Sequence, residues 1–377
     1  MLESPPWFRR APLALALAFA SFDAAHAADM PVKAPRTAAA AAYDSGYYLW
    51  VDGSYQSVHL PAFDLGIKQA IHLTPTDLVG GPLATFNPRA HGYGISGAVG
   101  YILPPGSPLA MFGSNARIEI GGSFVSATAA SQTAAAGVSG FDVTTLTGLL
   151  SQGAACGSLG CTVTSALTTD YKSWQVNAKA AGDRKYGALT VTPWAMVFGG
   201  VTHNNQSLAQ QSFFPGRVPL FNYNESSSLQ WVDVGPKLGV DATFSVVPWM
   251  TIGLGGNVGL AGRFVSLSAV DSATVSPAFA AFTPSPSPTA INPSTSTAAF
   301  LANAEADLTI SPLRNVELEG FAGLNYDNRV PGISAPVIVG AAGIVGPHGT
   351  QGMPAGIKFA GETSFYAGGG ITAKFAP

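Results

Sequence analysis

Charged side chains at alternate positions are the residues of this sequence whose spacing could do chemistry. Glu305 and Asp307 lie two residues apart, as do Glu317 and Glu319, and residues 311–314 form a short connection between the two pairs. A spacing of two places both members of a pair on one face of a β-strand. In a hairpin the four carboxylates would lie close together, and this concentration of negative charge would favour cations in transit.

The same alternation recurs along the chain and defines a larger set of charges. In each segment the apolar residues occupy one phase and the charged residues the other, which is typical of a wall with two unlike faces. If the apolar face contacts lipid, the charged face lines an interior in which charges must be paired or hydrated. These charges fit either an interior closed by salt bridges or a water-filled passage. In the first case, basic residues across the interior would neutralise the acidic hairpin. The predicted interior charges are Asp52, Arg117, Glu119, Lys179, Asp233, Lys237, Asp241, Arg263, Glu305, Asp307, Glu317, Glu319 and Lys374.

Catalytic and cofactor-binding signatures are weak in this sequence. Residues 202–205, Thr-His-Asn-Asn, only faintly resemble the strand-borne constellations of outer-membrane lipases, and a lone His at a loop edge is usually a solvated polar residue. The paired Asp residues and the Asp-His couple of omptin-like proteases are missing, since the chain contains neither DD nor DH. G-x-S-x-G is absent, and no Walker or dinucleotide fingerprint appears in a strand-to-helix context. We therefore predict no catalytic residue, no enzyme activity and no cofactor.

The composition is unusual for a soluble protein. Only 10% of the 377 residues are charged, while 47% are hydrophobic and the chain has 44 Gly and 28 Pro. Ordinary soluble domains carry roughly 25% charged residues, whereas a barrel in lipid needs an apolar outer band. The formal net charge of -3 argues against a nucleic-acid partner, because phosphate binding needs a basic excess.

The N-terminus predicts export from the cytoplasm. Arg9 and Arg10 end a basic region, residues 11–22 are a short apolar run, and residues 25–27 read Ala-His-Ala, a cleavage signal. A run of a dozen apolar residues is too short to span a bilayer as a helix, and no later segment offers 18 apolar residues in a row. Only a closed barrel could then hide its backbone polar groups in lipid. We predict a signal peptide over 1–27, a flexible periplasmic leader over 28–45 and an outer-membrane barrel over 46–377.

Cys156 and Cys161 lie in the Gly/Ser-rich stretch CGSLGC. An exported chain meets an oxidising compartment, so a local disulfide between the two is the favoured interpretation. A metal site would need further Cys or His ligands at matching spacing, and the sequence nearby has none.

Ten segments with alternating apolar residues predict the strands. The connections between them alternate between short and long, as the periplasmic turns and extracellular loops of outer-membrane barrels do. The fold class is therefore all-β: a transmembrane antiparallel up-and-down β-barrel of about 10 strands, with a range of 8 to 12. A soluble β-sandwich is the alternative, because it also shows alternation. The long connections are predicted at 57–91, 128–170, 202–228, 264–299 and 328–358.

Aromatic residues near the predicted strand ends suggest an interfacial girdle. Tyr47 and Tyr48 begin the first strand, Trp249 lies beside a short turn, and Phe375 ends the last strand. Residues 336–345 are an apolar stretch in the last long connection. We expect this stretch to fold inward as a constriction or to pack on the rim, and contact with another subunit is its rival.

Two stretches resemble known proteins. The leader sequence ADMPVKAP at 28–35 is similar to the mature N-terminus of alphaproteobacterial, especially rhizobial, outer-membrane barrel proteins. The alternating segment from Phe365 to Phe375 resembles the terminal strand that the barrel assembly machinery recognises. The opening YYLWVDGSY and the Pro-rich connections resemble the Legionella-type pore-forming major outer-membrane proteins. The resemblance implies a pore or surface role and no catalytic residues.

The sequence thus predicts a porin-like outer-membrane barrel that lets ions or small solutes diffuse. Ten strands enclose little more space than the eight that side chains can fill, so large solutes are excluded. The alternatives are a non-conducting surface barrel for adhesion or membrane integrity and, less favoured, an outer-membrane hydrolase. The predicted partners are outer-membrane lipids and the assembly machinery, and homo-oligomerisation is left open.

Overall fold

The structure is a computed structural model, and it describes most of the chain from Gly46 onward. The described ranges are 46–68, 82–104, 107–109, 113–138, 140–148, 150–155, 160–277, 287–313, 315–336, 345–349 and 353–375. The predicted signal peptide and leader lie outside them. Within these ranges no helix is long and apolar enough to cross a membrane.

Sixteen β-strands make up the described structure. In chain order they are β1 (Gly46–His59), β2 (Phe63–Lys68), β3 (Pro82–Phe86), β4 (Arg89–Ile102), β5 (Ser114–Val138), β6 (Gly140–Thr144), β7 (Leu150–Ala155), β8 (Cys161–Tyr186), β9 (Leu189–Phe214), β10 (Val218–Val247), β11 (Met250–Val275), β12 (Thr289–Ile291), β13 (Ser294–Leu313), β14 (Val316–Ser334), β15 (Val345–Gly349) and β16 (Gly356–Phe375).

Ten long strands pair in antiparallel fashion and close into a barrel. The order around the ring is β10-β9-β8-β5-β4-β1-β16-β14-β13-β11, and the pairing of β10 with β11 closes it. Each of the ten segments predicted from alternation falls in its own barrel strand, so the predicted ten-stranded antiparallel barrel is confirmed. Closure leaves no long unpaired strand edge at the start of the chain, because β1 pairs with both β4 and β16.

Alternation along β10 shows why these residues form a wall. Leu238, Val240 and Phe244 point outward and are exposed, while Lys237 and Asp241 on the alternate phase point inward and are buried. Successive side chains of a strand face opposite sides of the sheet. A strict period of two is therefore sufficient to place the apolar residues on one face and the charged residues on the other. The apolar face is on the outside, which is the reverse of a water-soluble barrel.

One outward row of side chains marks where the outer face of the barrel changes character. The row consists of the cross-strand partners Phe124, Trp174, Val201, Val232 and Phe264. The next outward row, toward the long connections, consists of Ser126, Lys172, His203, Gln230 and Ser266. We call the first the boundary row. The lower zone lies between it and the short turns, and the upper zone lies beyond it.

The upper zone has the opposite polarity from the lower zone. Leu229 and Leu267 point inward there and are buried, while Ser228 and Ser268 beside them point outward. This is the arrangement of a water-soluble β-sheet, with apolar residues inside and hydroxyl groups outside. The two zones are continuous stretches of the same strands.

The strands are longer than the sequence predicted, and this corrects several connections. The predicted long connection over 202–228 is instead a continuation of β9 and β10 around the three-residue turn 215–217, where Gly216 and Arg217 have positive φ of 81° and 64°. Strands likewise extend into 128–170 and 264–299. The prediction failed there because the outward residues of the upper zone are polar, so the apolar alternation that defined the lower strands fades.

A second sheet of five short strands, in the order β15-β7-β6-β2-β3, covers the inside of the upper zone. Phe63 of β2 and Phe86 of β3 belong to the same buried apolar cluster as the inward-facing Leu208, Leu229 and Leu267 of the barrel wall. We call this sheet, together with residues 145–148, the plug. Its position means that the mouth of the barrel on the side of the long connections is filled by packed apolar side chains.

Candidate functional site

The predicted interior charges all lie on the inward phase of their strands in the lower zone. All of them except Glu319, which is partly buried, have exposed fractions of 8% or less. An open aqueous passage would leave such side chains accessible to water. The described lumen is therefore closed, and how its charges are balanced becomes the main chemical question.

Arg263 is the centre of one buried ion-pair network. Its Nε and Nη2 donate to the two carboxylate oxygens of Asp233 at 2.7 and 2.8 Å, and its Nη1 contacts Asp327 Oδ2 at 2.8 Å. Nη1 also donates to the backbone oxygen of Arg329 at 2.7 Å. Arg263 and Asp233 are fully buried. One guanidinium therefore links β10, β11 and β14 just below the boundary row.

A second network lies near the short turns. Arg117 Nη1 donates to Asp183 Oδ1 at 2.9 Å, and its Nε donates to Glu119 Oε1 at 3.3 Å. Tyr48 OH donates to the same Glu119 oxygen, and Thr192 Oγ1 donates to Asp183. Tyr48 was predicted to belong to the interfacial girdle, and this is wrong: its even phase in β1 turns it inward, where it is buried. Tyr47 next to it does point outward.

The acidic hairpin predicted from β13 and β14 is present, and two side chains of the neighbouring β16 bind its carboxylates. Lys374 of β16 donates to Glu317 Oε1, and Tyr366 of β16 donates to Glu305 Oε2 at 2.8 Å. Asp307 is buried beside Thr309, whose hydroxyl donates to it at 3.4 Å. Lys374 therefore contributes to neutralising the cluster.

Two further lysines of the lumen contact aromatic rings. Lys179 Nζ lies 4.4 Å from the ring centroid of Trp194, and Lys237 Nζ lies 4.2 Å from that of Phe198. A ring face attracts a cation and shields it from water at the same time. Asp52 accepts a hydrogen bond from Ser96 Oγ at 2.8 Å. The lumen is thus filled by paired groups.

The upper zone contains a site that the sequence analysis missed, on the inward face of β10 and β11. Asp271 accepts hydrogen bonds from the backbone N of Leu146 at 2.7 Å, from the backbone N of Thr289 at 3.0 Å and from Thr289 Oγ1 at 2.6 Å. Glu225 is its cross-strand partner, and Tyr223 OH donates to both carboxylates, at 3.3 and 3.4 Å. Asp271 thus ties the plug and the start of β12 to the barrel wall, and we call Tyr223, Glu225 and Asp271 the latch.

Burial sets the protonation of the latch. It raises the pKa of the Glu225 carboxyl to about 7, although the hydrogen bond from Tyr223 works in the opposite direction, and the neighbouring Asp271 raises this pKa further. The pKa of Tyr223 is also raised well above its ordinary value by burial and by both carboxylates, so the phenol remains a donor. Tyr223, Glu225 and Asp271 lie in segments that the sequence analysis assigned to long connections. The alternation of buried and exposed side chains in those segments was the signal that could have identified them.

Asp183 and Asp327 were also missed among the interior charges. Asp183 was assigned to a short turn and Asp327 stood at the end of a predicted strand, yet both point inward and bind buried arginines. The register between neighbouring strands brings each of these carboxylates next to its arginine. A single segment of sequence does not contain that register.

Residues 202–205, the weak catalytic motif, lie within β9, so their side chains alternate between the two faces of the barrel wall. Thr202 and Asn204 point into the barrel and are buried, while His203 and Asn205 lie on the outer face of β9. The four side chains therefore do not converge. Within the described ranges no group of three or more His, Cys, Asp or Glu residues could hold a metal ion.

Only one of the two cysteines of the predicted disulfide lies among the described residues. Cys161 begins β8 and is buried, whereas Cys156 lies outside the described residues. The pairing stays a prediction. The apolar stretch predicted to constrict the lumen lies mostly outside them as well, over 337–344.

No family model matches the sequence, and no curated protein matches it. Among solved structures, the chain is similar to the outer membrane protease OmpT from Escherichia coli, with 10% identity, a TM-score of 0.40 and coverage of 88% of this chain and 96% of that one. A Pseudomonas aeruginosa FadL homologue matches with 6% identity, a TM-score of 0.23 and coverage of 88% and 90%. The outer membrane channel DcaP of Acinetobacter baumannii matches with 7% identity, a TM-score of 0.18 and coverage of 88% and 97%. Likenesses this distant assign no activity to the chain.

Proposed function

We propose that the protein is an outer-membrane β-barrel whose lower zone spans the lipid bilayer. The observation that carries this proposal is the single-step change from apolar to polar between the boundary row and the next outward row on five strands. The outward apolar residues of β9 run from Leu189 to Val201, which at about 3.4 Å per residue and a tilt near 40° rises roughly 30 Å. That height matches the hydrocarbon core of a bilayer.

Aromatic side chains on the outer face support both edges of this band. Phe124 and Trp174 of the boundary row stack with ring centroids 4.2 Å apart, and Tyr93 lies 6.2 Å from Phe124. At the other edge Tyr47 and Tyr101 lie 4.8 Å apart. Aromatic rings concentrate at the two interfaces of membrane proteins because one end is apolar and the other is hydrated.

The barrel is closed along its axis and acts as a surface barrel. Ion pairs centred on Arg263 and Arg117 fill the lower lumen, and the plug fills the upper mouth. The β9–β10 hairpin extends from the boundary row to residues 215–217 and would project roughly 30 Å beyond the lipid. This hairpin, polar on its outer face and with Arg217 at its tip, and the plug are the parts that meet the surroundings, in the class of adhesion or membrane-integrity proteins.

A cation pore is the second candidate, and the charge balance of the lumen favours it. Inward carboxylates of the lower zone outnumber the inward lysines and arginines. The cluster of Glu305, Asp307, Glu317 and Glu319 would attract cations once the plug moved. This candidate requires a second, open conformation.

Conductance of refolded protein in planar bilayers separates the two candidates. Folding is first verified by the heat-dependent shift in electrophoretic mobility that stable barrels show. We expect folded, inserted protein to be silent over a range of voltages. Stepwise, cation-selective channels would contradict the closed barrel, and they should then lose selectivity in Glu305→Gln and Glu317→Gln variants but not in Lys172→Ala, which changes a charge on the outer face.

A further inference from the structure

β13 and β14 stop pairing partway up the barrel, although both strands continue. Their last cross-strand pair is Leu301 with Asp327. Above it, the described residues 294–300 pair with β11 on one side and residues 330–334 pair with β16 on the other, with no backbone ladder between them. The wall therefore has a seam that begins at this pair, near the outer edge of the apolar band.

Side chains close the seam where the backbone does not. The backbone N of Phe300 donates to Asn328 Oδ1 at 2.7 Å, which substitutes for one ladder bond. Arg263 reaches across β13 to Asp327 and to the backbone oxygen of Arg329. Elsewhere in the upper wall, as between β9 and β10, backbone pairs continue almost to the turn. Parting the seam would break a few side-chain links, whereas parting β9 from β10 at the same level would break a ladder.

A cavity of about 60 Å³ lies directly behind the seam. Both of the last β13–β14 pairs, Ala302 with Tyr326 and Leu301 with Asp327, line it. Trp231 of β10 also lines it, and its Nε1 is buried with no hydrogen-bond partner among the described residues. A buried donor without a partner is costly, so a molecule that accepts its hydrogen bond would be stabilised there.

The lining of the cavity defines the chemistry of its ligand. Four amide side chains contribute to it: Gln56, Asn257, Asn303 and Asn325. Its lining also includes His59 and Glu362, Asp327, which is paired with Arg263, and Lys237, whose Nζ lies over the Phe198 ring. Three of them form a ladder, in which Asn257 Nδ2 donates to Asn303 Oδ1 at 3.1 Å and Asn303 Nδ2 donates to Asn325 Oδ1 at 2.8 Å. Amides offer donors and acceptors without net charge, and a purely apolar molecule would leave their remaining groups unpaired.

We propose that the β13–β14 seam is a side entrance to this cavity and that it admits small uncharged molecules carrying amide or hydroxyl groups. The route from above is filled by the plug, so access from the side requires less rearrangement. The volume fits a molecule of a few heavy atoms or a small group of waters. The proposal is independent of whether the barrel conducts ions along its axis.

Acrylamide tests the side entrance, because it is a small uncharged amide that quenches tryptophan fluorescence on contact. The contribution of Trp231 is the difference between the native protein and a Trp231→Phe variant. A Phe300→Cys, Asn328→Cys double variant would lock the seam with a disulfide. Asn224→Cys, Ser272→Cys is the matched control, because these are outward cross-strand partners in a continuous part of the wall.

We expect acrylamide to quench Trp231 in the native protein, and we expect this quenching to be lost in the oxidised seam-locked variant and restored by reduction. The control double variant should behave like the native protein in both redox states. In addition, Asn328→Ala should increase the quenching of Trp231, while Asn224→Ala should not. Two results would overturn the proposal. One is that acrylamide does not quench Trp231 in the native protein, and the other is that quenching is the same in the native protein, the oxidised seam-locked variant and the Asn328→Ala variant.

Discussion

The lower and upper zones of the barrel use the same strands and the same alternation with opposite polarity. On β10, Leu238 faces out and Lys237 faces in below the boundary row, whereas Ser228 faces out and Leu229 faces in above it. Backbone pairing is continuous through the change. The comparison indicates that the solvent around each zone, and not the sheet itself, determines which phase is apolar.

The interiors differ as sharply as the exteriors. The lower interior is stabilised by buried ion pairs, which must be complete to be tolerated, and the upper interior by apolar packing against the plug. The latch adds two carboxylates to this upper interior, which also contains buried amide and hydroxyl side chains such as Gln210 and Ser212. The predictions below address this contrast in order of decreasing effect.

Removing the guanidinium of Arg263 should have the largest effect. Arg263→Ala leaves Asp233 and Asp327 without their buried partner and should lower the free energy of unfolding by about 3–5 kcal/mol. Lys172→Ala, which breaks an exposed pair with Asp170, should cost at most about 1 kcal/mol. Unfolding by urea in detergent measures both. Equal effects would contradict a closed, desolvated lower lumen.

A charge on the outer face should be costly in one zone only. Leu238→Arg places a guanidinium in the apolar band and should cost about 2–4 kcal/mol of folding free energy in lipid vesicles. Ser228→Arg, on the same strand and the same face in the upper zone, should stay within about 0.5 kcal/mol of the native protein. If both substitutions were tolerated, the lower zone would not be embedded in lipid.

The latch should make the upper zone sensitive to pH. The folded-state pKa of Glu225, about 7, is above its ordinary 4.5, so folding favours the protonated form. Stability is then full below pH 4.5, falls as the pH rises toward 7, and is lower by up to about 3 kcal/mol above it. Glu225→Gln should remove this dependence and be the more stable protein at pH 8. Urea midpoints measured from pH 4 to 8 check it, and parallel curves for the two proteins would refute the assignment.

The tip of the β9–β10 hairpin should show the smallest effect. Gly216 has a φ of 81°, where a Cβ is strained, so Gly216→Ala should cost about 1 kcal/mol. Gly216→Asn should cost less, because Asn tolerates this conformation better. The urea midpoints of the two variants compare them. Identical stabilities would indicate that residues 202–228 form a loop, as the sequence suggested.

The lower zone could be predicted from the sequence because its strands alternate strictly between apolar outward and polar inward residues, as contact with lipid on one side would require. Residues such as Ile118 and Leu254, exposed on the outside, can be apolar only if that side is not water. The upper extensions of β9 and β10 lack this signal, since Ser207 and Ser228 outside are no more polar than many loop residues. The plug could not be predicted either, because its short strands pair across large separations, as β15 does with β7.

The position of the boundary row is the central claim, and labels on two neighbouring outward residues of β10 test it directly. Val232→Cys and Gln230→Cys, in a background with Cys156 and Cys161 replaced by Ser, would each carry a fluorophore in vesicles that contain brominated lipid. We predict that the label at 232 is quenched by the lipid and that the label at 230 is not. Two unquenched labels, or two labels quenched equally, would contradict the division of the barrel into a lipid-facing and a water-facing zone.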